Sequence, residues 1–468
     1  MRSSYDLIVV GDQLSGLFLA ASVAEAGRSV LVIEGKASPI ALFEVPSGKF
    51  LSDLVCEPVI GLQEGSKLDA FLKRMGLYQN LGDVFPEFHP ALQVVSSKNR
   101  VDFSYRKGDL EKEVSREFPE RDAKAQARIT RVLGGQEVSK ASFAQVVADA
   151  GLETFWEHWG DLQPLLYGSS LPSRVPYPLY KRVFDTAAQG VRHPLGGRAA
   201  LKERLIARVK VFGGAIKRNA WVEEIVFEKG RLAGAMLSSY EGFVRSPAVA
   251  GAMAAGNFVK LIPEKFRPRR LEAAIGAIRP RFWRMTFTVV VPAGVVPEGM
   301  GDHVCIHDTE DQICNDGFLQ IQRFGNESYS GIRPDEKALV VRMLMPFEPR
   351  SLQTEFMITM MKRSLRRLQA LMPALREYRV HPDPDNLKKD SVFLQAYQFK
   401  SLGHIPPAFI VYDHSLSADH FNLDFMEWSR FGIPGLGICS RDVFPAFGLM
   451  GEVIAGMEYA HRILHPRK

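Results

Sequence analysis

Hydrophobic and polar positions alternate between two regimes along this chain. Near the start an apolar run, Leu7 to Val10, meets a turn at Gly11. Apolar residues resume at helical spacing from Leu14, and a second apolar run, Val30 to Ile33, ends on Glu34. Short apolar runs bounded by turn residues predict buried strands, and the stretch between them predicts a helix. Ser66 to Met75 predicts a short helix closed by Gly76, and Gly108 to Leu133 two helices parted at Phe118-Pro119. Arg198 to Phe212 predicts a helix ended by Gly213-Gly214. Strands Ala215 to Arg218, Val222 to Glu228 and Leu232 to Leu237 follow, the last two joined by a Lys229-Gly230 turn and all expected to extend the first sheet. Later strands are predicted at Met285 to Val291, Phe318 to Gln322 and Ala338 to Met343. Met357, Met360, Met361, Leu365 and Leu368 form one face of a helix from Phe356 to Leu371, read as core packing. A strand at Gly435 to Cys439 and a helix from Glu452 to Leu464 close the chain.

The first unit has the strand–turn–helix–strand–acid layout of a dinucleotide-binding motif, and this predicts an α/β, Rossmann-like domain. In such a motif the first glycine makes the tight turn. The second lets the backbone approach the pyrophosphate, and the third lets the helix pack on the strand. Here Gly11 and Gly16 hold the first and third places, and Gln13 stands in the second. Gly11, Gln13, Leu14, Ser15 and Gly16 therefore form the candidate phosphate turn, where a helix N-terminus presents N–H groups to an anion. Glu34 lies where a carboxylate accepts the ribose hydroxyls, and Lys36 is the nearest base after it.

Composition narrows the class. The chain has 468 residues, 46% hydrophobic and 24% charged, as in a globular protein with two or three cores. No apolar run is long enough to span a bilayer. Asp6, Asp12 and Gln13 interrupt the N-terminal apolar stretch, which argues against a secretory signal. Cys56, Cys305, Cys314 and Cys439 are scattered without a C-x-x-C pair, so neither a metal knuckle nor a disulfide framework is expected, and the location expected is the cytoplasm. The net charge of +6 is concentrated at Lys265, Arg267, Arg269, Arg270, Arg279, Arg281 and Arg284, and again at Lys362, Arg363, Arg366 and Arg367. No nucleic-acid motif accompanies it. An anionic membrane surface and a plain solvated face are the two readings of that charge.

Three separated segments resemble one family, the two-domain flavoproteins that include phytoene desaturases, amine oxidases and protoporphyrinogen oxidase. They are the N-terminal unit, the Gly-Gly–helix–strand stretch His193 to Leu237, and PAFGLMGEVIAGMEYAHRI at Pro445 to Ile463. GDLEKEVSREFPERDAKAQ at Gly108 to Gln126 is similar to the family's helix-Phe-Pro-helix element. The resemblance implies FAD as cofactor, with Val222 at the adenine and Gly451 on the closing turn and helix. It implies a discontinuous FAD domain (1–80, 190–260 and 405–468) and an α+β substrate or cap domain (81–189 and 261–404). It also implies oxidation of an apolar, isoprenoid or lipid-like substrate, peripheral to a membrane. The departures cluster: Gln13 in the phosphate turn, Ile40-Ala41 where the family has Gly-Gly, and Ser440-Arg441 where it has Gly-Asp. Arg441 is thereby a candidate to touch flavin or phosphate. Rab GDP-dissociation inhibitors are similar in architecture without the redox role, so a non-catalytic binding or accessory protein is the alternative.

Overall fold

A computed structural model describes residues 3–11, 13–34, 40–45, 48–53, 57–96, 99–104, 108–117, 162–171, 175–238, 242–307, 318–328, 331–385, 397, 399, 401–413, 426 and 428–465. Cys56, Cys314, Lys36 and the second of the two helices expected in Gly108 to Leu133 lie outside the described residues.

The N-terminal unit forms as its pattern predicts: β1 (Leu7–Val10), α1 (Leu14–Glu25) and β2 (Val30–Glu34). Every residue of α1 from Leu14 to Ala24 is buried, so this helix is apolar all round and lies in the centre of its domain. After the middle of the chain, α2 (Gly197–Val211), β3 (Ala215–Arg218) and β4 (Val249–Gly251) return to it. The chain then passes through α3 (Arg269–Gly276), β5 (Arg279–Pro292), β6 (His303–His307), β7 (Phe318–Phe324), β8 (Glu336–Pro346) and α4 (Thr354–Leu371). It ends in β9 (Leu436–Ile438) and α5 (Gly448–Leu464). The order β9-β4-β1-β2-β3 gives a five-stranded sheet, parallel at every pairing. α5 packs along α1, and Gly456 permits it: a Cβ there would lie 2.6 Å from both Phe18 Cβ and Ser15 O.

One expectation is corrected. Of the three strands expected to extend the first sheet, β3 alone does; Val222–Glu228 and Arg231–Leu237 join Phe243–Arg245 in a separate three-stranded antiparallel sheet. The tight Lys229-Gly230 turn makes consecutive strands antiparallel partners, whereas a parallel neighbour needs a crossover such as α2. Ile40-Ala41 open a strand that pairs with Ser52 and Asp53 in a hairpin.

The second large sheet carries eight strands, with β5, β8, β7 and β6 adjacent in that order. One face holds Val304, Ile306, Leu319, Ile321, Val341, Met343, Met285 and Phe287, all buried. The methionine stripe of α4 is core as read: Met357, Met360 and Met361 are buried, and Ser364 Oγ contacts Met343 Sδ at 3.2 Å. The opposite face is polar yet equally buried. Cys305, Gln320, Arg342 and Thr286 stand directly across from one another on β6, β7, β8 and β5. Arg284 belongs to this inner face, 1% exposed, and so is not part of the basic surface that its sequence neighbours form.

Candidate functional site

The described residues of the phosphate turn pack against the segments that follow β4 and β9. Gly11 has φ +110°, and a Cβ there would fall 2.2 Å from Ala252 O; at Gly16 it would fall 2.3 Å from Ala252 Cβ. Both glycines therefore serve the approach of the residue that follows β4. Gln13 occupies the N-cap position of α1 without capping it. Its side chain crosses instead to the C-terminal segment, where Oε1 accepts the Arg441 backbone N–H at 3.1 Å. Its Nε2 is buried and has no hydrogen-bond partner among the described residues. Ser15 Oγ donates to Cys439 O at 2.7 Å, so two bonds tie the turn to the segment after β9. Leu14, Ser15 and Gly16 are buried in the first turn of α1.

Glu34 is also engaged. Lys202 of α2 holds one of its oxygens at 2.6 Å and Arg218 of β3 the other at 3.1 Å. Lys202 is itself buried, 6% exposed. The Ala220 N–H donates to Glu34 O at 3.3 Å, which brings the Val222 segment beside the acid. Val222 is buried in register with Leu237.

Arg441 lies at the centre of an internal ion network. Its guanidinium meets both oxygens of Glu57, and it reaches Glu452 Oε1 through Nη2 at 2.8 Å and Nε at 3.1 Å. Arg198 Nη2 holds the Glu452 carboxylate from the other side at 2.6 and 2.7 Å. Arg284 Nη1 binds Glu57 Oε1 at 3.0 Å, and Ser169 Oγ accepts from Arg284 at 3.1 Å and from Arg441 at 3.0 Å. Burial alone would raise the Glu57 carboxyl, but Arg441 and then Arg284 outweigh it and hold it below the ordinary value. Glu452 is likewise lowered against its burial by Arg198 and Arg441. Arg284 is pushed down to about 9, chiefly by burial. Gly451, in the first turn of α5, lies against this segment, where a Cβ would meet Phe444 O at 2.2 Å.

Asp442 points elsewhere. It accepts the Ala255 N–H at 2.7 Å and the Tyr412 hydroxyl at 2.6 Å, and burial raises its pKa. Above the network the polar sheet face continues: Arg342 donates to Gln320 Oε1 at 2.9 Å, and Gln320 Nε2 meets His303 Nε2 at 2.7 Å. Burial lowers His303 to about 3 and His193 to about 4, so both rings are neutral near pH 7. Among the described residues no cluster of side chains with metal-binding geometry occurs.

The structure thus brings Gln13, Ser15 and Arg441 together and joins Ala220, two residues before Val222, to the Glu34 backbone. Reading the sequence missed Glu57, Ser169, Lys202, Arg284 and Glu452. The available signal was a charge inside an apolar run, Arg284 in FWRMTF and Glu452 in GLMGEVIAGM, because a buried charge is retained only with a partner.

A flavin dinucleotide calls for an unobstructed helix N-terminus, a carboxylate free for the ribose and space beside the closing segment. Gln13 stands at the first, Lys202 pairs with one oxygen of the second while Glu34 Oε2 makes no hydrogen bond among the described residues, and the Arg441 network lies at the third. Among the described residues, Gln13 and Lys202 are already engaged at positions that a flavin dinucleotide would use.

Comparison with known proteins supports the fold. No family model matches the chain, and no curated protein does. Among solved structures, an oxidoreductase from Methanosarcina mazei is similar with a TM-score of 0.67 and 14% identity, over 97% of this chain and 99% of that one. A putrescine oxidase aligns with a TM-score of 0.57 and 13% identity, over 98% and 99%. Rab GDI from Plasmodium falciparum aligns with a TM-score of 0.50 and 12% identity, over 73% and 82%. The fold is the one that these oxidoreductase structures share.

Proposed function

We propose that this protein, built on the fold of flavin-dependent oxidoreductases, is a binding or accessory protein in which side chains of its own chain stand where the cofactor would lie. The carrying observation is the Gln13–Arg441 bond, an amide oxygen at the helix entrance accepting the N–H of the closing segment. Glu34 and the Arg441 network support the same reading at two further points. To admit FAD, the chain would have to release Gln13 from Arg441 and Glu34 from Lys202. Each release costs on the order of 1–3 kcal/mol, and together they would weaken a flavin site by roughly thirtyfold to twenty-thousandfold. The similarity to Rab GDI is consistent with a role that is not oxidation.

The test is the visible spectrum and melting temperature of the purified protein, with and without added FAD. The expected result is a colourless protein whose Tm does not move. A second reading, a flavin-dependent oxidoreductase acting on an apolar substrate, has the fold and the retained Gly11, Gly16 and Glu34 in its favour. A yellow protein with a bound-flavin spectrum would establish that second reading and sink the first.

A further inference from the structure

A cavity of about 340 Å³ opens between the short helix Ala255–Phe258, α3, the start of β5 and the segment 402–412. Its walls are apolar: Ile275, Ile278, Phe347, Leu402, Ile405 and Ile410 line it. At its inner end Asp442 and Tyr412 are bonded to each other, and the second Asp442 oxygen is taken by the Ala255 N–H. That end therefore asks nothing further of a ligand.

The rim is different. Lys260 lines the cavity and is exposed. Arg267 folds back onto the backbone there, its Nη2 donating to Lys260 O at 2.9 Å. The stretch from Lys260 to Arg281 carries seven cations and only two acids, Glu264 and Glu272. Lys265, Arg269, Arg270 and Arg281 are exposed, and none of them makes an ion pair among the described residues. Such a surface is held against self-repulsion only by solvent, and it attracts anions.

We propose that this cavity binds a single-chain amphiphile with an anionic head, its apolar chain in the pocket and its head on Lys260. An apolar pocket in this size range with one charged group at its mouth suits such a ligand, because burial drives the chain inward while the charge stays hydrated at the rim. The basic surroundings would raise the local concentration of the anion and speed its capture. The proposal is independent of the flavin question, since the spectrum reads the phosphate turn and the experiment below reads this pocket.

Calorimetric titration of the full-length protein with dodecanoate, dodecyl phosphate and uncharged dodecanol tests it. Both anions should bind at micromolar concentration, and dodecanol at least tenfold more weakly. Lys260→Glu should weaken both anions at least tenfold and leave dodecanol unchanged. Gly276→Trp should abolish binding of all three, and open space surrounds the position of a Cβ there, so the fold should tolerate the side chain. Unchanged Tm and circular dichroism would verify that both variants fold, and Ile278→Trp provides a second block from within the wall. Absence of heat with all three probes, or equal binding of dodecanol and the anions, overturns the proposal. So does co-sedimentation with phosphatidylserine vesicles that Gly276→Trp leaves intact, because the basic surface would then act without the pocket.

Discussion

Gln13 Oε1 accepts the backbone N–H of Arg441 at 3.1 Å, across a separation of 428 residues. This bond links the only altered position of the phosphate turn to the altered closing segment. Each departure from the glycine pattern could be tolerated separately. Joined, they become one contact in which the chain bonds to itself at a helix N-terminus built for an anion.

Gln13→Gly tests whether that contact excludes flavin. The variant should bind FAD at least tenfold more tightly than the parent, read by quenching of flavin fluorescence on titration. A lower affinity than the parent would mean that the Gln13 amide serves as a flavin ligand.

Arg441→Met should be severely destabilising. It leaves Glu57 and Glu452, both buried, with Arg284 and Arg198 as their remaining ion-pair partners among the described residues. Removing one member of a buried charge network costs about 3–5 kcal/mol, and urea denaturation measures it. A loss below about 1 kcal/mol would show that the network is not dry.

Glu34 and its two partners should behave unequally. Lys202 is buried and Arg218 half exposed. Glu34→Gln should cost about 1–3 kcal/mol by leaving the Lys202 ammonium without its counter-charge. Arg218→Gln should cost less than about 1 kcal/mol, as for an exposed pair. Equal costs in urea denaturation would contradict the assignment of Lys202 as the principal partner.

Gly16→Ala should disrupt the contact between α1 and the end of β4, since the new Cβ would lie 2.3 Å from Ala252 Cβ. A loss of about 1–3 kcal/mol is expected from overpacking. Ala252→Gly should recover most of it in the double variant, and additive losses would place the strain elsewhere.

Acid should destabilise the fold in two stages. His303 and His193 have folded pKa values of about 3 and 4, below the ordinary 6.5, because burial disfavours the charged ring. The unfolded chain therefore binds more protons between those values and 6.5, and stability falls as pH drops through that window. Each ring contributes about 1.4 kcal/mol per pH unit there. Glu57 and Glu452, lowered by their arginines despite burial, add a further loss below pH 4.5. Asp442, raised by burial, acts in the opposite sense above its ordinary 3.8. Urea denaturation from pH 7 to 4 should show the first slope, and His303→Gln should reduce it by about half.

Much of the fold was legible because it depends on local pattern. β1, α1 and β2 follow from two apolar runs around Gly11, and β3 and the strand Val222–Glu228 have the bounds their sequence predicts. The methionine stripe gave the buried side of α4. The polar inner face of the second sheet was hidden, because strands β6, β7 and β8 each alternate and only their register sets Cys305, Gln320, Arg342 and Thr286 in one row. Arg284 reads as one of a cluster of surface cations until strand alternation turns it inward to Glu57.

Sequence alone determined the nucleotide-binding layout of the first unit and marked Gln13, Ile40-Ala41 and Ser440-Arg441 as departures from it. These are properties of short segments, where spacing and residue type suffice. Tertiary structure decided what the departures do. It brought Gln13 to the Arg441 N–H, Lys202 and Arg218 to Glu34, and Glu57 and Glu452 to the Arg441 guanidinium. A charge withdrawn from water must find its counter-charge in the packed interior, and that partner can come from any part of the chain that the sheets bring near.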